Sequence, residues 1–462
     1  MQPFSPGNSK VVDRSKPPLP GPVSLSQFPP WQETVLANGL RVMIFEDHES
    51  PIAYVRLYTK TGSINDGEKL RLASLTYSLL THGTATRSGH EIADTIDFLG
   101  AELTSSAGMD RANISLTTMS KFLDQGLELM ADVVLNANFL EDEIEFLRVQ
   151  ALNRLQVSKS EPGRLATDAF MKAVYQNHPY GNPSVGTEAA TNSLTRNYIQ
   201  SFYDAYSTPN NSFIVVAGDV DATQILLKLE RAFGGWKQKP VPVSHFAAPQ
   251  MREKNHVIVV HKEGSVQSTL YLGHLCIQKN HPDFIKCYMM NTILGGYFGS
   301  RLNMNLREEK GYTYSIRSGL DGNKFLGDFY VSVQVRNEVT RPAIDEIFRE
   351  INRMIQEKVS AEELQVVKNY ISGVSTIRNE SPSSIAGRIA TTEIYDLPKD
   401  YNQTLVAKVN ALTREDILEA AQTYVHPSKM SIVLSGDAQA VAKSLEDFGD
   451  MAIVDADGAP IV

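Results

Sequence analysis

Apolar and polar positions alternate along this chain in short stretches, and between those stretches apolar residues return at helical spacing. Alternating or continuous apolar runs at 40–45, 52–60 and 113–118 read as strands, as do those at 256–261, 269–275 and 328–335. Helical spacing covers about 68–81, 90–99, 120–135 and 141–158, then 281–294, 338–358 and 360–377. Strands in hairpins flanked by runs of helix predict an α+β fold. Each unit is expected to be an antiparallel-rich sheet with helices packed on one face.

The pattern occurs twice. Leu194-Thr195-Arg196, Ile199, Tyr206, Pro209, Ile214-Val215 and Gly218-Asp219 recur 218 positions later as Leu412-Thr413-Arg414, Ile417, Tyr424, Pro427, Ile432-Val433 and Gly436-Asp437. In each copy a Thr cap opens an amphipathic helix, a Pro turn ends it, an apolar strand follows and Gly-Asp closes the strand. So long a period marks a duplicated domain and not a solenoid. The expected division is a proline-rich arm over 1–30, a first domain over 31–245 and a homologous second domain over 250–462. A linker of Pro-containing composition joins the domains near 240–249.

Composition narrows the function. With 42% hydrophobic residues in 462, the chain can fill more than one core. Lys+Arg 44 against Asp+Glu 53 gives a net charge of −9 without a basic run, which argues against nucleic-acid binding. No apolar stretch is long enough to span a membrane, and the proline-rich start lacks the apolar segment of a signal peptide. The two cysteines, Cys276 and Cys287, read as buried thiols. No GxSxG elbow or GxxxxGK[ST] loop occurs. No two of the 10 histidines stand four apart, so no helix carries a zinc-binding i, i+4 pair. His90-Glu91 starts like HExxH, but Asp94 fills the second histidine's place; His178 lies in a loop and reads as structural.

An ordered set of landmarks carries a resemblance. Asn38-Gly39-Leu40, Gly62, Leu80-Thr81-His82-Gly83-Thr84, His178-Pro179-Tyr180-Gly181 and Tyr206…Pro209-Asn210 come first. Gly218-Asp219-Val220, Gly295-Gly296, Ser300-Arg301-Leu302 and Leu306-Arg307-Glu308-Glu309-Lys310-Gly311 follow. From about residue 33 onward the chain resembles the pitrilysin/insulinase zinc peptidases, in the bacterial branch similar to the mitochondrial processing peptidase. The resemblance implies two homologous domains forming half of a clamshell. It also implies a catalytic helix with HxxEH and a distal carboxylate ligand, where two imidazoles and the carboxylate hold zinc and the motif Glu activates water. Here the three motif positions hold Ser74, Tyr77 and Ser78, and the distal position falls at Asn153 beside Arg154. Hydroxyls and an amide are poor zinc ligands, so no metal is expected on this chain and no cleavage by it alone.

One element of the family's machinery is retained, an Arg and a Tyr spaced as Arg307 and Tyr314. Arg307 is expected near the end of a helix stopped by Gly311, and Tyr314 in the alternating strand after it. The resemblance implies that the pair reaches a facing zinc site, holds peptide and donates to the oxyanion. The glycines Gly295, Gly296 and Gly299 admit two readings, close approach of a substrate peptide or a tight connection between helices.

The expected function is the non-zinc subunit of a heteromeric metallopeptidase. Its partner would be a homologous HxxEH subunit carrying the zinc, in a heterodimer or heterotetramer that hydrolyses unfolded peptides. In such an assembly the substrate would add as a strand to a sheet edge of the partner. Alternatives are a non-catalytic scaffold subunit, a peptide-binding homodimer, or a peptidase with a different metal site. The compartment is periplasmic or cytoplasmic, with the periplasm favoured by the family.

Overall fold

The computed structural model describes residues 27–461, so most of the expected proline-rich arm lies outside the described residues. The first sheet holds β1 (Gln32–Val35), β2 (Arg41–Glu46), β3 (Ile52–Thr59), β4 (Glu102–Ala107), β5 (Ala112–Met119) and β6 (Ser212–Gly218). The second holds β7 (His256–His261), β8 (Gln267–Cys276), β9 (Ile316–Gly322), β10 (Gly327–Arg336), β11 (Ser431–Gly436) and β12 (Asp450–Val454). Strand order is β1-β2-β6-β3-β5-β4 in one and β12-β7-β11-β8-β10-β9 in the other. Each sheet is mixed but mostly antiparallel: β6 is parallel to β2 and antiparallel to β3, and β11 is parallel to β7 and antiparallel to β8.

The two central strands, β6 and β11, are buried at every position. This is why they read as unbroken apolar runs, while the outer strands alternate. The helix before each central strand is capped as its sequence demands. Thr195 accepts from the Tyr198 amide at the start of Arg196–Tyr206, and Thr413 accepts from the Asp416 amide at the start of Arg414–Tyr424.

Side chains on neighbouring strand positions point to opposite faces. On one face of the first sheet, Val42, Ile44, Val55, Leu57, Ile214 and Val216 join Tyr77, Leu127, Ile199 and Phe233 from helices of the same half. The sequence pattern leaves the other face bare. In the structure Met43, Phe45, Phe213, Val215 and Ala217 on that face pack against Ile385, Ala386, Ile389 and Ile394 of the Pro382–Ile394 helix, which belongs to the second half of the chain. The exchange is mutual. Phe170, Ala173 and Val174 of the Pro162–Tyr175 helix lie on Leu275 and Val433 of the second sheet, with Tyr271 and Tyr330 beside them. Both helices start with proline, Pro162 and Pro382, where the missing N–H costs nothing.

Polar contacts pin both exchanged helices. Lys60, just after β3, donates to Glu393 at 2.6 Å, Arg41 on β2 pairs with the same carboxylate, and an Arg56 guanidinium nitrogen donates to the Ser383 carbonyl at 3.0 Å. On the other side the Tyr175 phenol donates to Asp328 on β10. Just beyond that helix, the Tyr180 phenol donates to Asp110 at 2.6 Å.

Candidate functional site

The helix at the expected metal position is short, Leu72–Ser78. Its N-cap residue, Arg71, has left-handed backbone at φ 76° and gives no side-chain cap. Asp66 takes over that task, its carboxylate accepting from the Arg71 and Ala73 amides at 2.8 Å each. Burial pushes the Asp66 carboxyl up to about 7, although both backbone donors oppose the shift.

Ser74 and Ser78 are half-buried. Tyr77 is not on their face: it is 0% exposed inside the first core, its ring 6.0 Å from that of Tyr203. Asn153 lies exposed on the Glu141–Ser158 helix, and Arg154 follows it. Ser74 and Arg154 line a cavity of about 500 Å³, together with Arg71, Arg164 and Ser184. Two hydroxyls, an outlying amide and a core phenol do not make a zinc shell, and guanidinium groups repel the cation. Among the described residues no group of three His, Cys, Asp or Glu side chains could hold a metal ion.

The second constellation lies across two π-helical segments, Thr292–Gly296 and Asn303–Glu309. Such widened turns recur at functional sites because they re-aim side chains that a regular helix would not present. Asn303 fixes the second segment by donating to the Ile316 carbonyl at 2.9 Å, and Asn305 donates to Glu346 and Glu350 at 2.8 Å each. Arg307 projects from this segment. Its guanidinium lies 4.4 Å from the ring centre of Phe298 and 5.0 Å from that of Tyr314, so the cation rests against two aromatic faces. Phe298 is 64% exposed and Tyr314 85% exposed. Burial therefore does not explain this cluster.

The sequence reading brings Arg307 and Tyr314 together, and so does the structure, but by a different local geometry. Tyr314 is not in a strand. β9 begins at Ile316, paired with Val333 of β10. Before that register ends the ladder, Thr313 takes over the next acceptor with its side chain, donating to the Gln334 carbonyl at 2.8 Å. Gly311 stops the helical segment with φ 63°, and the Tyr312 amide donates to the Leu306 carbonyl at 2.9 Å. Phe298 is the member the sequence reading missed. The available signal was the aromatic pair Tyr297-Phe298 between Gly296 and Gly299, of which Tyr297 is half-buried against Tyr370 and Phe298 is exposed.

The three glycines differ. Gly295 is buried, and a Cβ there would come within 2.5 Å of the Ser318 amide and 2.9 Å of Leu302, so close packing against β9 requires it. Gly296 and Gly299 are exposed on either side of Phe298. Elsewhere, His178 is buried and its Nδ1 accepts from the Tyr180 amide at 3.2 Å. His90 lies exposed 3.5 Å from Asp94. Cys276 and Cys287 are free thiols, and burial pushes Cys276 up to about 12.

Residues 41–188 match the insulinase (peptidase family M16) domain, and residues 193–371 match the peptidase M16 inactive domain. An uncharacterized zinc protease of Rickettsia felis is 28% identical over 338 residues, 73% of this chain and 81% of that protein. The non-peptidase homolog YmxG of Helicobacter pylori is 23% identical over 401 residues, 85% of this chain and 91% of that protein. A peptidase M16 inactive domain from Pseudomonas fluorescens superposes with a TM-score of 0.83 at 27% identity, covering 88% of this chain and 98% of that one. The first half of the periplasmic protease PqqL from Escherichia coli shares the fold at a TM-score of 0.74 and 17% identity, over 91% of this chain and 94% of that one. Two mixed sheets clad in helices thus define a two-domain peptidase fold. The chain belongs to the M16 (insulinase) peptidase family.

Proposed function

We propose that this chain is the non-zinc subunit of a heteromeric M16 peptidase, supplying Arg307 and Tyr314 in trans to a homologous HxxEH partner that hydrolyses unfolded peptides. The observation that carries the reading is the Phe298–Arg307–Tyr314 cluster. A guanidinium held between two exposed rings, with its Nε paired to Glu308 at 3.3 Å, is oriented in advance and keeps its terminal nitrogens for a ligand, while the positions that match the family's metal motif hold Ser74, Tyr77, Ser78 and Asn153. The partner contributes metal and general base. Arg307 and Tyr314 contribute donors aimed at the charge that develops on the scissile carbonyl oxygen. Exposed Gly296 and Gly299 leave room for a peptide backbone beside Phe298.

The test is isolation of the chain from its native extract and identification of what comes with it, followed by peptidase assays on the assembled complex. A near-stoichiometric HxxEH chain is expected, and Arg307→Ala is expected to cost about 2–4 kcal/mol of transition-state stabilisation. An R307A complex with unchanged turnover would sink the trans-donor role. Recovery of the chain only with itself would favour the peptide-binding homodimer, and recovery with respiratory membrane subunits the scaffold.

A further inference from the structure

The cavity beside Ser74 has the wrong charge for a metal and a suitable one for an anion. Arg71, Arg154 and Arg164 come from three different elements and line the same space of about 500 Å³. One carboxylate, Glu161, shares that wall. Asp168 is occupied by Arg164, at 2.8 Å. The Arg71 guanidinium donates to the Val185 carbonyl at 3.2 Å, a neutral partner. Among the described residues no hydrogen bond or ion pair engages Arg154. Burial, and then the charge of Arg154, act against the protonated form of Arg71, and the Asp66 carboxyl partly opposes them. Glu161 alone does not balance Arg71 and the exposed Arg154, and a ligand anion between them would complete the balance. Serine hydroxyls from Ser74 and Ser184 add neutral donors to the same wall.

We propose that this cavity is an oxyanion-binding site that takes a carboxylate or phosphate group between Arg71 and Arg154. Guanidinium forks match both groups, donating in pairs to planar or tetrahedral oxygens. The volume falls in the range of small-ligand sites and exceeds what a bare ion needs, so the group arrives as part of a larger molecule such as the end of a short peptide. The position the family uses for a cation is here converted to one for an anion. This inference does not depend on a partner subunit, because binding is measured on the chain alone.

The experiment is calorimetric titration of the full chain with inorganic phosphate, with acetyl-trialanine bearing a free C-terminal carboxylate, and with its C-terminal amide. Phosphate, the free-acid peptide or both are expected to bind at one site. The amide is expected to bind at least about tenfold more weakly, and Arg154→Ala to lose about tenfold or more in affinity for whichever anion binds. Binding is expected to weaken with added salt. Phosphate without the peptide points to a phosphorylated ligand, and the acid peptide without phosphate to a carboxylate terminus. Ser74→Asp, which places a carboxylate on the wall from another element, gives a second variant, expected to abolish binding. Equal binding of acid and amide, no binding by either anion, or native affinity in both variants would each overturn the proposal.

Discussion

Tyr175 and Asp328 meet across the two halves of the chain, the phenol at the end of the Pro162–Tyr175 helix donating to a carboxylate oxygen on β10. Both are buried. Burial pushes the Asp328 carboxyl up to about 7; nearby Asp321 adds to the shift and the Tyr175 hydrogen bond opposes it.

The sign of the pH dependence follows. In the unfolded chain an Asp loses its proton near 3.9, whereas folded Asp328 and Asp66 hold theirs to about 7. Between those values the folded state binds more protons, so stability falls as pH rises from about 4 toward 7, by up to roughly 1.4 kcal/mol per pH unit for each group. Asp328→Asn is expected to flatten this slope by about one proton. Urea denaturation midpoints at pH 5 and pH 7.5 would check it, and an unchanged slope would remove Asp328 from the account.

Phe298→Ala separates orientation of Arg307 from its presence. An exposed ring contributes little to folding, so the thermal midpoint is expected to stay within the error of the wild type. In an assembled peptidase, loss of one aromatic face is expected to lower kcat/KM by up to about fivefold, well short of the R307A effect. Equal losses in the two variants would show that Phe298 itself contacts substrate.

The glycines can be told apart by stability. Gly295→Ala forces a methyl to within 2.5 Å of the Ser318 amide and is expected to destabilise by about 1–3 kcal/mol. For Gly296→Ala the nearest atom is the Asn291 carbonyl at 3.3 Å, and the change is expected to be mild. Chemical denaturation of both variants decides whether the pair acts through packing or through a ligand.

Phe170→Ala, on the exchanged helix, is expected to cost about 3–5 kcal/mol. The ring is buried against Tyr271 and Tyr330, with ring centres 5.5 Å and 6.3 Å away. Because it belongs to one half and packs on the other, calorimetry is expected to show a single transition shifted as a whole. Two separated transitions would mean that the halves unfold independently.

Much of the fold was legible because it is written in local patterns. The central strands, Thr195 and Thr413 as caps, and Gly218 and Gly436 as strand ends all follow from periodicity and turn chemistry. The exchange of helices was not legible. Amphipathic spacing in the Pro382–Ile394 helix says that Ile385 and Ile389 need an apolar surface, and does not say whose. At the candidate site, the Arg307 and Tyr314 positions came from the family pattern. The loop geometry before Ile316 depends on where the β10 ladder ends, which no single strand's sequence specifies. Tyr77 is similar: its place in the motif was readable, but its burial in the core follows from the turn of a short helix started by Asp66.

The helix exchange also constrains how the polypeptide can be made. On a ribosome the first sheet emerges complete once β6 has been synthesised, yet Met43, Phe45, Phe213 and Val215 stay uncovered until residues 382–394 appear. For that interval the nascent chain displays an apolar sheet face that its own N-terminal half cannot hide. A gene cut within residues 240–249, which carry no helix or strand, would therefore yield a first half with a permanently sticky side, and expression of that fragment should give aggregate where the whole chain gives a folded protein.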